Sequence, residues 1–214
     1  MGTEIKAIPK LDVIKEEEIP HILEPGEVGA ILELIVSNKD GKVTEQRVLK
    51  SKSFVQQFLQ LLFVKFAISP TVAPISIRDT GNTLRAVYDT TYTFDTAAGV
   101  TVVTYGIIIG TGVVAPTISD YAIGIIIPHA TMNYSACTYG APAADATTSQ
   151  FTITRNFANV SGGPVTVNEI ALYCRAYYTA AIGYFMLIRD VIAGGIAVPN
   201  GQTLTVNYRL QAIV

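Results

Sequence analysis

The chain has 214 residues, of which half are hydrophobic and 15% are charged, and its formal net charge at neutral pH is −2. A chain of this size can bury a substantial core without disulfides or metals to stabilise it. Its two cysteines, Cys137 and Cys174, are too few for a disulfide framework, so both are expected to be small buried hydrophobes, and a single bridge between them stays open as the alternative. The charge balance argues against a direct nucleic-acid binder, which needs a basic surface, and no apolar stretch approaches the ~20 residues of a membrane-spanning helix.

Residues 1–27 are predicted to form an extended N-terminal arm. Pro9, Pro20 and Pro25 interrupt this segment, residues 15–18 (KEEE) form a solvated charge run, and no hydrophobic period persists. Arms of this kind either stay disordered or become ordered on a neighbouring subunit. The apolar side chains of the arm that we expect to mediate assembly are Ile5, Ile8, Leu11, Val13, Ile14, Ile19, Ile22 and Leu23.

A β-hairpin and a helix are predicted to follow the arm. The hairpin strands are 28–36 and 42–49, and an Asp-Gly pair between them supplies the residues of a tight turn. Apolar residues at helical spacing predict a helix over about 51–66, with Ser51 or Ser53 as its N-cap. Because apolar residues occupy most sides of this helix, it is expected to pack between two surfaces.

The rest of the chain, from residue 70 onward, is predicted to consist of strands and turns. The clearest strand candidates are 86–94, 100–109, 151–157, 165–172, 184–188 and 203–210. Most of them alternate apolar and polar residues, whereas 100–109 and 184–188 are apolar on both parities, as in strands buried on both faces. About seven or eight strands separated by turn signals are typical of a sandwich or a jelly roll.

These elements divide the chain into three predicted parts. They are the extended arm (1–27), the β-hairpin plus helix (28–69) and a β-sandwich domain (70–214). A single packed unit over 28–214 stays open as the alternative. In both cases the predicted fold class is mainly β: an antiparallel β-sandwich or jelly roll with one α-helix in the N-terminal region and an extended N-terminal arm.

Charged residues are distributed unevenly along the chain. All the lysines lie in residues 1–65, and from Phe66 to the end only thirteen of 149 residues are charged. An ordinary soluble domain is about a quarter charged. The cores of protein interfaces are depleted of Lys and Glu. We therefore expect neighbouring subunits to cover much of this charge-poor surface.

The strand over 165–172 contains a charged residue among apolar ones. Its apolar parity changes phase between Val167 and Ile170, which favours a β-bulge between them. Glu169 lies in this strand, and Arg189 lies at the end of another strongly apolar segment. Because an unpaired buried charge is costly, we expect Glu169 and Arg189 to form a structural pair across the sheet.

No catalytic, cofactor-binding or metal-binding constellation is predicted. The two histidines, His21 and His129, belong to no Cys/His cluster of the kind that binds zinc. Residues 110–115 (GTGVVA) match a dinucleotide-binding pattern, but Pro116 follows at once where a helix should begin, so a glycine turn between strands is the better interpretation. The sequence therefore predicts a protein that is not an enzyme and needs no cofactor.

Three segments taken together resemble structural proteins of bacteriophage virions. A "GTG…APT…D..L" stretch of those proteins, an "I.EIGLY" strand and a closing "LLARDV…I.V..G.TLTVTY.I" hairpin are the features in question. The corresponding segments here are 108–112 (IIGTG) with 115–123 (APTISDYAI), 167–173 (VNEIALY), and 185–190 (FMLIRD) with 196–208 (IAVPNGQTLTVNY). The resemblance spans roughly residues 28–214. It implies a tail, fibre, neck or capsid-decorating component and brings with it no catalytic residues.

The sequence thus predicts a structural component of a phage particle that self-assembles through its charge-poor β-domain and its N-terminal arm. Its expected location is the virion, assembled in the host cytoplasm, and its expected partners are copies of itself and other virion proteins. The alternative is a glycan- or receptor-binding module of a fibre or cell-surface structure. That alternative requires an exposed cluster drawn from the eleven tyrosines, with Asn or Asp nearby.

Overall fold

The computed structural model describes residues 23–51, 54–67, 75–87, 94–178 and 181–214. Over these ranges the chain is mainly β, with antiparallel strands and a single α-helix, and the sandwich-like fold class predicted from the sequence is confirmed. The first elements are β1 (Val28–Ser37), β2 (Val43–Ser51), α1 (Gln56–Ala67), β3 (Ile75–Arg78), β4 (Leu84–Val87) and β5 (Gly106–Gly110). The later elements are β6 (Met132–Tyr134), β7 (Thr138–Tyr139), β8 (Ala143–Ala144), β9 (Thr148–Asn159), β10 (Val165–Tyr178), β11 (Ala181–Val198) and β12 (Thr203–Ile213).

The described chain divides into two compact units, each built from segments that are distant in sequence. Unit 1 takes its described residues from Met1–Lys52, His129–Val165 and Ala197–Val214, and unit 2 takes them from Ser53–Pro128 and Thr166–Ile196. This division differs from the predicted parts, because the β1–β2 hairpin belongs to unit 1 whereas α1 belongs to unit 2. The reason is that β1 pairs along its whole length with β12, from the other end of the chain.

Unit 1 is built on a seven-stranded antiparallel sheet. Its main strand order is β2-β1-β12-β9-β6, and the short strands β7 and β8 also pair with β9. In β12 the side chains of Leu204, Val206 and Tyr208 are fully buried and those between them are half-buried, as the alternation of this strand predicts. The predicted β1–β2 hairpin is confirmed, and Asn38 Oδ1 helps to close its turn by accepting a hydrogen bond of 2.9 Å from the N–H of Lys42.

Unit 2 is built on a five-stranded antiparallel sheet. Its main strand order is β11-β10-β4-β3, and β5 also pairs with β10. All five residues of β5 are buried, but this strand begins later than the predicted 100–109, at Gly106, whose φ of 83° interrupts the extended backbone. Val100 is 63% exposed and lies in a turn. Of the predicted strand 86–94, β4 includes the first two residues, and 88–93 lie outside the described ranges.

The helix α1 starts later than predicted and buries one face. Ser51 is the last residue of β2 and does not cap the helix, and Ser53 lies outside the described residues. Leu61 and Val64 are fully buried. The expectation that the helix packs between two surfaces is wrong, because large apolar side chains on its opposite face are exposed. This α1 outer face, at helical spacing, consists of Leu59 (65% exposed), Phe63 (50%) and Phe66 (83%).

The two cysteines are free thiols. Cys174 is fully buried in β10, whereas Cys137 is half-buried. Burial raises the pKa of the Cys174 thiol, because the charged thiolate is poorly solvated there. Cys174 thus fits the expected role of a small buried hydrophobe. Within the described ranges no helix is both long and apolar enough to span a membrane.

Candidate functional site

Glu169 is a charged side chain that unit 2 buries completely. It lies on β10, opposite Gly110 of β5. Its Oε2 accepts hydrogen bonds from Nε (2.9 Å) and Nη2 (2.6 Å) of Arg189, and its Oε1 accepts one of 2.8 Å from the N–H of Gly124. Each carboxylate oxygen therefore has a donor, which offsets the cost of burying the charge.

Arg189 connects Glu169 to a second carboxylate. The Arg189 side chain lies on β11 and is only 6% exposed, and its Nη1 lies 2.6 Å from Oδ2 of Asp120. Asp120 also accepts hydrogen bonds from the N–H (2.9 Å) and Oγ1 (2.7 Å) of Thr117. We call Glu169, Arg189 and Asp120 the charge cluster. It is the pair expected from the sequence, extended by one acidic residue.

The surroundings of Asp120 and Arg189 favour the ionised form of both side chains. Burial alone would raise the pKa of Asp120, but hydrogen bonds from Thr117 and Arg189 outweigh it and hold that pKa below its ordinary value of 3.8. Burial would also lower the pKa of Arg189, but hydrogen bonds to Glu169 and Asp120 outweigh it and raise that pKa. Asp120 and Arg189 therefore stabilise each other's ionised form.

The glycines of the Gly-Thr-Gly motif are explained by the position of the Glu169 carboxylate. A Cβ atom at Gly112 would lie only 2.7 Å from Cδ of Glu169. A Cβ atom at Gly110 would lie 2.6 Å from the carbonyl oxygen of Ile125 and 3.0 Å from Oε1 of Glu169. Real Cβ atoms do not approach other heavy atoms so closely. The motif therefore lets main chain pack against a buried carboxylate, and this is the close backbone approach that glycine allows.

The charge cluster fastens one long connection to the sheet. This clamped loop, residues 111–125, follows β5. Arg189 Nη2 donates a hydrogen bond of 3.0 Å to the carbonyl oxygen of Val114, and Asn168 Nδ2 donates one of 3.1 Å to that of Thr111. With the contacts at Asp120 and Gly124, the loop is fixed at four places. Buried hydrogen-bonded networks of this kind hold a backbone in one conformation.

Residues from three separate stretches of the sequence meet at this cluster. Residues 108–112 and 115–123 supply the glycines and Asp120, 167–173 supply Glu169, and 185–190 supply Arg189. The pairing of the last two could be expected from the sequence. The third member, Asp120, was missed, although the Thr-x-x-Asp spacing from residue 117 to residue 120 is a local signal for the turn that it closes.

The clamped loop displays large apolar side chains to solvent. Val113 is 69% exposed, Val114 is 73% exposed and Ile118 is 65% exposed. The loop also contacts the helix, since the N–H of Gln56 donates a hydrogen bond of 2.9 Å to the carbonyl oxygen of Ile118. We call these three loop side chains and the α1 outer face together the unit 2 apolar surface.

The other residues singled out from the sequence lie elsewhere. Among the predicted arm residues only Leu23 falls within the described ranges; it is 2% exposed and packs against Gly29 of β1, and the remaining seven lie outside those ranges. His129 Nδ1 accepts a hydrogen bond of 3.0 Å from the N–H of Tyr134. No group of three or more His, Cys, Asp or Glu residues that could hold a metal ion occurs in the described part of the chain.

No protein-family model, curated protein or solved structure matches this chain.

Proposed function

We propose that the protein is a structural component of a bacteriophage particle and that it self-assembles through the unit 2 apolar surface. The observation that carries this proposal is the exposure of six large apolar side chains, each 50–83% exposed, on one helix and on the loop bonded to it. The hydrogen bond between Gln56 and Ile118 brings the loop to the helix, and exposed apolar side chains that lie together mark interaction sites more often than singly scattered ones. Burying them in a subunit contact would supply the hydrophobic driving force for assembly.

The charge distribution favours a second copy of the same chain as the partner. In a two-fold symmetric contact the same surface patch is used by both copies, so a charged residue close to the two-fold axis would face a like charge. The six side chains are uncharged, and so is every residue in 111–119 (TGVVAPTIS); Lys65 is an exposed charged residue of the same helix, between Phe63 and Phe66 in the sequence. Self-association of this surface therefore meets little electrostatic repulsion, and its composition is that of an interface core.

The clamp supports this use of the loop. Ordering a mobile loop when an interface forms costs conformational entropy. A loop that is already fixed before association avoids this cost and therefore binds more tightly. Arg189 and Glu169 hold the segment that carries Val113, Val114 and Ile118. The charge cluster is thus proposed to preorganise the assembly surface rather than to perform chemistry.

The virion assignment rests on the sequence resemblance over roughly residues 28–214. It is supported by the observation that residues from all three resembling segments form one buried cluster, as expected if they are a single structural feature. In this proposal the protein is assembled in the host cytoplasm, and its further partners are other virion proteins. The proposal includes no catalytic activity and no cofactor.

The predicted arm is proposed to add contacts with a neighbouring subunit. Its described end belongs to unit 1, because Leu23 is buried and the N–H of Gly26 donates a hydrogen bond of 2.7 Å to Ile213. Deleting residues 1–22 leaves these contacts intact. The truncated chain should form a weaker oligomer than the full chain by sedimentation velocity, and unchanged assembly would contradict the role of the arm.

The test of the proposed surface is a double substitution, Phe63→Ser with Phe66→Ser, compared with the unaltered chain by sedimentation velocity. We expect the unaltered chain to sediment as a discrete oligomer and the double variant to shift toward the monomer with an unchanged circular dichroism spectrum. Phe151→Ser is the matched control, because Phe151 is a partly exposed phenylalanine of unit 1. A double variant that assembles like the unaltered chain would overturn the proposed surface.

A further inference from the structure

Unit 2 contains a pocket that is separate from the unit 2 apolar surface. Its volume is about 490 Å³, within the range of ordinary small-molecule sites. Ile123 and Tyr173 line it and are buried, whereas Thr104 and Ile125, which also line it, are exposed and belong to its rim. Tyr184, a half-buried aromatic residue, also lines it.

The ring of Tyr184 is held in place by a chain of contacts. It stacks on the ring of Tyr105, with the centroids 6.0 Å apart and the planes within 16°. The guanidinium of Arg175 lies over Tyr105, 4.8 Å from its centroid, and Arg175 Nε lies 2.6 Å from Oδ2 of Asp95. The main chain is fixed as well, because the carbonyl oxygen of Tyr184 accepts a hydrogen bond of 2.9 Å from the N–H of Thr80. The half-exposed Tyr184 is therefore a preorganised aromatic platform.

The opposite part of the pocket is fixed by the charge cluster. The N–H of Ile123 donates a hydrogen bond of 2.7 Å to the Tyr173 hydroxyl, and the N–H of Gly124 donates one to Glu169. The carbonyl oxygen of the next residue, Ile125, accepts a hydrogen bond of 2.9 Å from the N–H of Thr111, the residue that follows β5. The buried carboxylate thus shapes this side of the pocket without entering it.

The chemistry of the lining restricts the class of ligand. Among the described residues that line the pocket none is charged, so neither an anion nor a cation would find a compensating group there. Tyr184 offers an aromatic ring with a phenolic oxygen, and Thr80 and Thr104 supply hydroxyl groups. Aromatic surface combined with hydroxyl groups suits a ligand that has an apolar face and a polar edge.

We propose that this pocket binds a neutral saccharide, with one sugar ring packed against Tyr184. A pyranose has an apolar face of C–H groups and a rim of hydroxyls, so it matches both parts of the lining. A purely apolar ligand would leave the threonine hydroxyls without partners, which costs free energy. The inference does not depend on self-assembly, because Tyr184 is not part of the unit 2 apolar surface.

The test uses the full-length protein and saturation-transfer NMR with a panel of neutral sugars: glucose, galactose, mannose, fucose and N-acetylglucosamine. We expect at least one of them to bind. Tyr184→Ala should weaken that binding about 10-fold or more, whereas Tyr184→Phe should retain most of it. Tyr139→Ala is the matched control, because Tyr139 is an exposed tyrosine of unit 1, and it should leave binding unchanged.

Three results would overturn the saccharide site. They are the absence of binding by every neutral sugar of the panel, binding that survives Tyr184→Ala in a folded protein, and preference for the anionic sugar sialic acid. The oligomer mass measured on the same Tyr184→Ala sample separates this test from the proposed function. A loss of sugar binding at unchanged mass supports the pocket and leaves the assembly surface untouched.

Discussion

Glu169 shows how a single buried charge can organise a large part of unit 2. Its carboxylate receives donors from Arg189 and from the main chain of Gly124, and two glycines leave room for it. Removing one partner of a buried pair leaves the other charged and unsolvated. Substitutions at this cluster should therefore be more harmful than at the exposed ion pairs of the same protein.

Arg189→Met tests the strength of the cluster. This change keeps the length of the side chain but leaves Glu169 and Asp120 without their cation, so the free energy of unfolding should fall by about 3–5 kcal/mol. Arg47→Met is the control, because the Arg47–Glu45 pair is about one-third exposed, and it should cost about 0–1 kcal/mol. Chemical denaturation measures both. Equal losses in the two variants would contradict a buried, interdependent cluster.

Gly112→Ala tests the reason for the Gly-Thr-Gly motif. The added methyl group would overlap the Glu169 carboxylate, and the resulting shift should destabilise the protein by about 1–3 kcal/mol. Gly163→Ala is a matched control, since a Cβ atom at that glycine meets nothing within 4 Å, and it should change stability by less than about 0.5 kcal/mol. Thermal denaturation measures both variants. If Gly112→Ala is as stable as Gly163→Ala, the contact with the Glu169 carboxylate does not require glycine at position 112.

Asp120 gives the cluster a dependence on pH. Its pKa in the folded protein lies below the ordinary value of 3.8, so its ionised form stabilises the fold above that pH. This contribution is lost as the pH falls through the lowered pKa. Asp120→Asn removes the contribution, so the stability difference between the two proteins should be constant at pH 5 to 7 and should shrink below about pH 4. A difference that stays constant down to pH 2 would show that Asp120 does not titrate in this way.

At the scale of single elements, α1 shows that sequence periodicity can predict a helix without predicting which of its faces is buried. The apolar residues of this segment surround the helix, so their spacing could not show which side faces the core. The structure buries Leu61 and Val64 and also the polar Gln57, and it exposes Leu59, Phe63 and Phe66. A search for an apolar stripe cannot identify a buried glutamine. The orientation of a helix depends on what it packs against, which is tertiary information.

The orientation of α1 can be tested with two leucines that are two residues apart. Leu61→Ala removes a fully buried side chain and should lower the free energy of unfolding by about 2–5 kcal/mol. Leu59→Ala alters a side chain that is 65% exposed and should cost no more than about 0.5 kcal/mol in the monomer. Urea denaturation at low protein concentration compares them. A reversed order of the two losses would mean that the helix faces the other way.

Strand β10 shows a second limit of pattern reading. The change of apolar parity after Val167 favoured a β-bulge, but Glu169 keeps the inward parity of Val167 and is itself buried. From Glu169 to Tyr173 the pairing with β5 runs without a shift of register. A charged residue at an inward-facing position interrupts the row of apolar residues on that face of the strand. The apolar pattern in the sequence then switches from one face to the other even where the backbone has no bulge. The pair of Glu169 with Arg189 could be predicted because buried charges require partners, whereas their contact with Asp120 depends on the path of a loop.

At the scale of the whole molecule, the mainly-β class and the strands with clear alternation could be predicted, but the grouping of strands into units could not. The alternation of β12 identifies a strand with one buried face, and the structure agrees. Nothing in that pattern states that β12 pairs with β1 on one side and β9 on the other. Pairing between distant segments sets the two units, and for this reason the predicted boundary at residue 70 differs from the division observed.

The distribution of exposed apolar side chains is also a property of the whole molecule. Unit 2 carries six of them on α1 and on the clamped loop. Glu169, Arg189 and Asp120 are instead paired with one another in the cluster, and Arg85–Asp79 and Arg175–Asp95 form further ion pairs of the same unit. A protein that stays monomeric rarely exposes large apolar groups together. This contrast between a fixed, charged interior and an apolar exterior is the basis for proposing self-assembly.

The mass of the full-length protein in solution, measured by light scattering over a concentration series, tests self-assembly most directly. We expect a discrete oligomer or a growing assembly, with a mass that falls toward that of the 22.9 kDa chain only on dilution. A constant mass of one chain at every concentration would contradict it. The unit 2 apolar surface would then have to bind a different protein, and the proposal of a self-assembling virion component would fall.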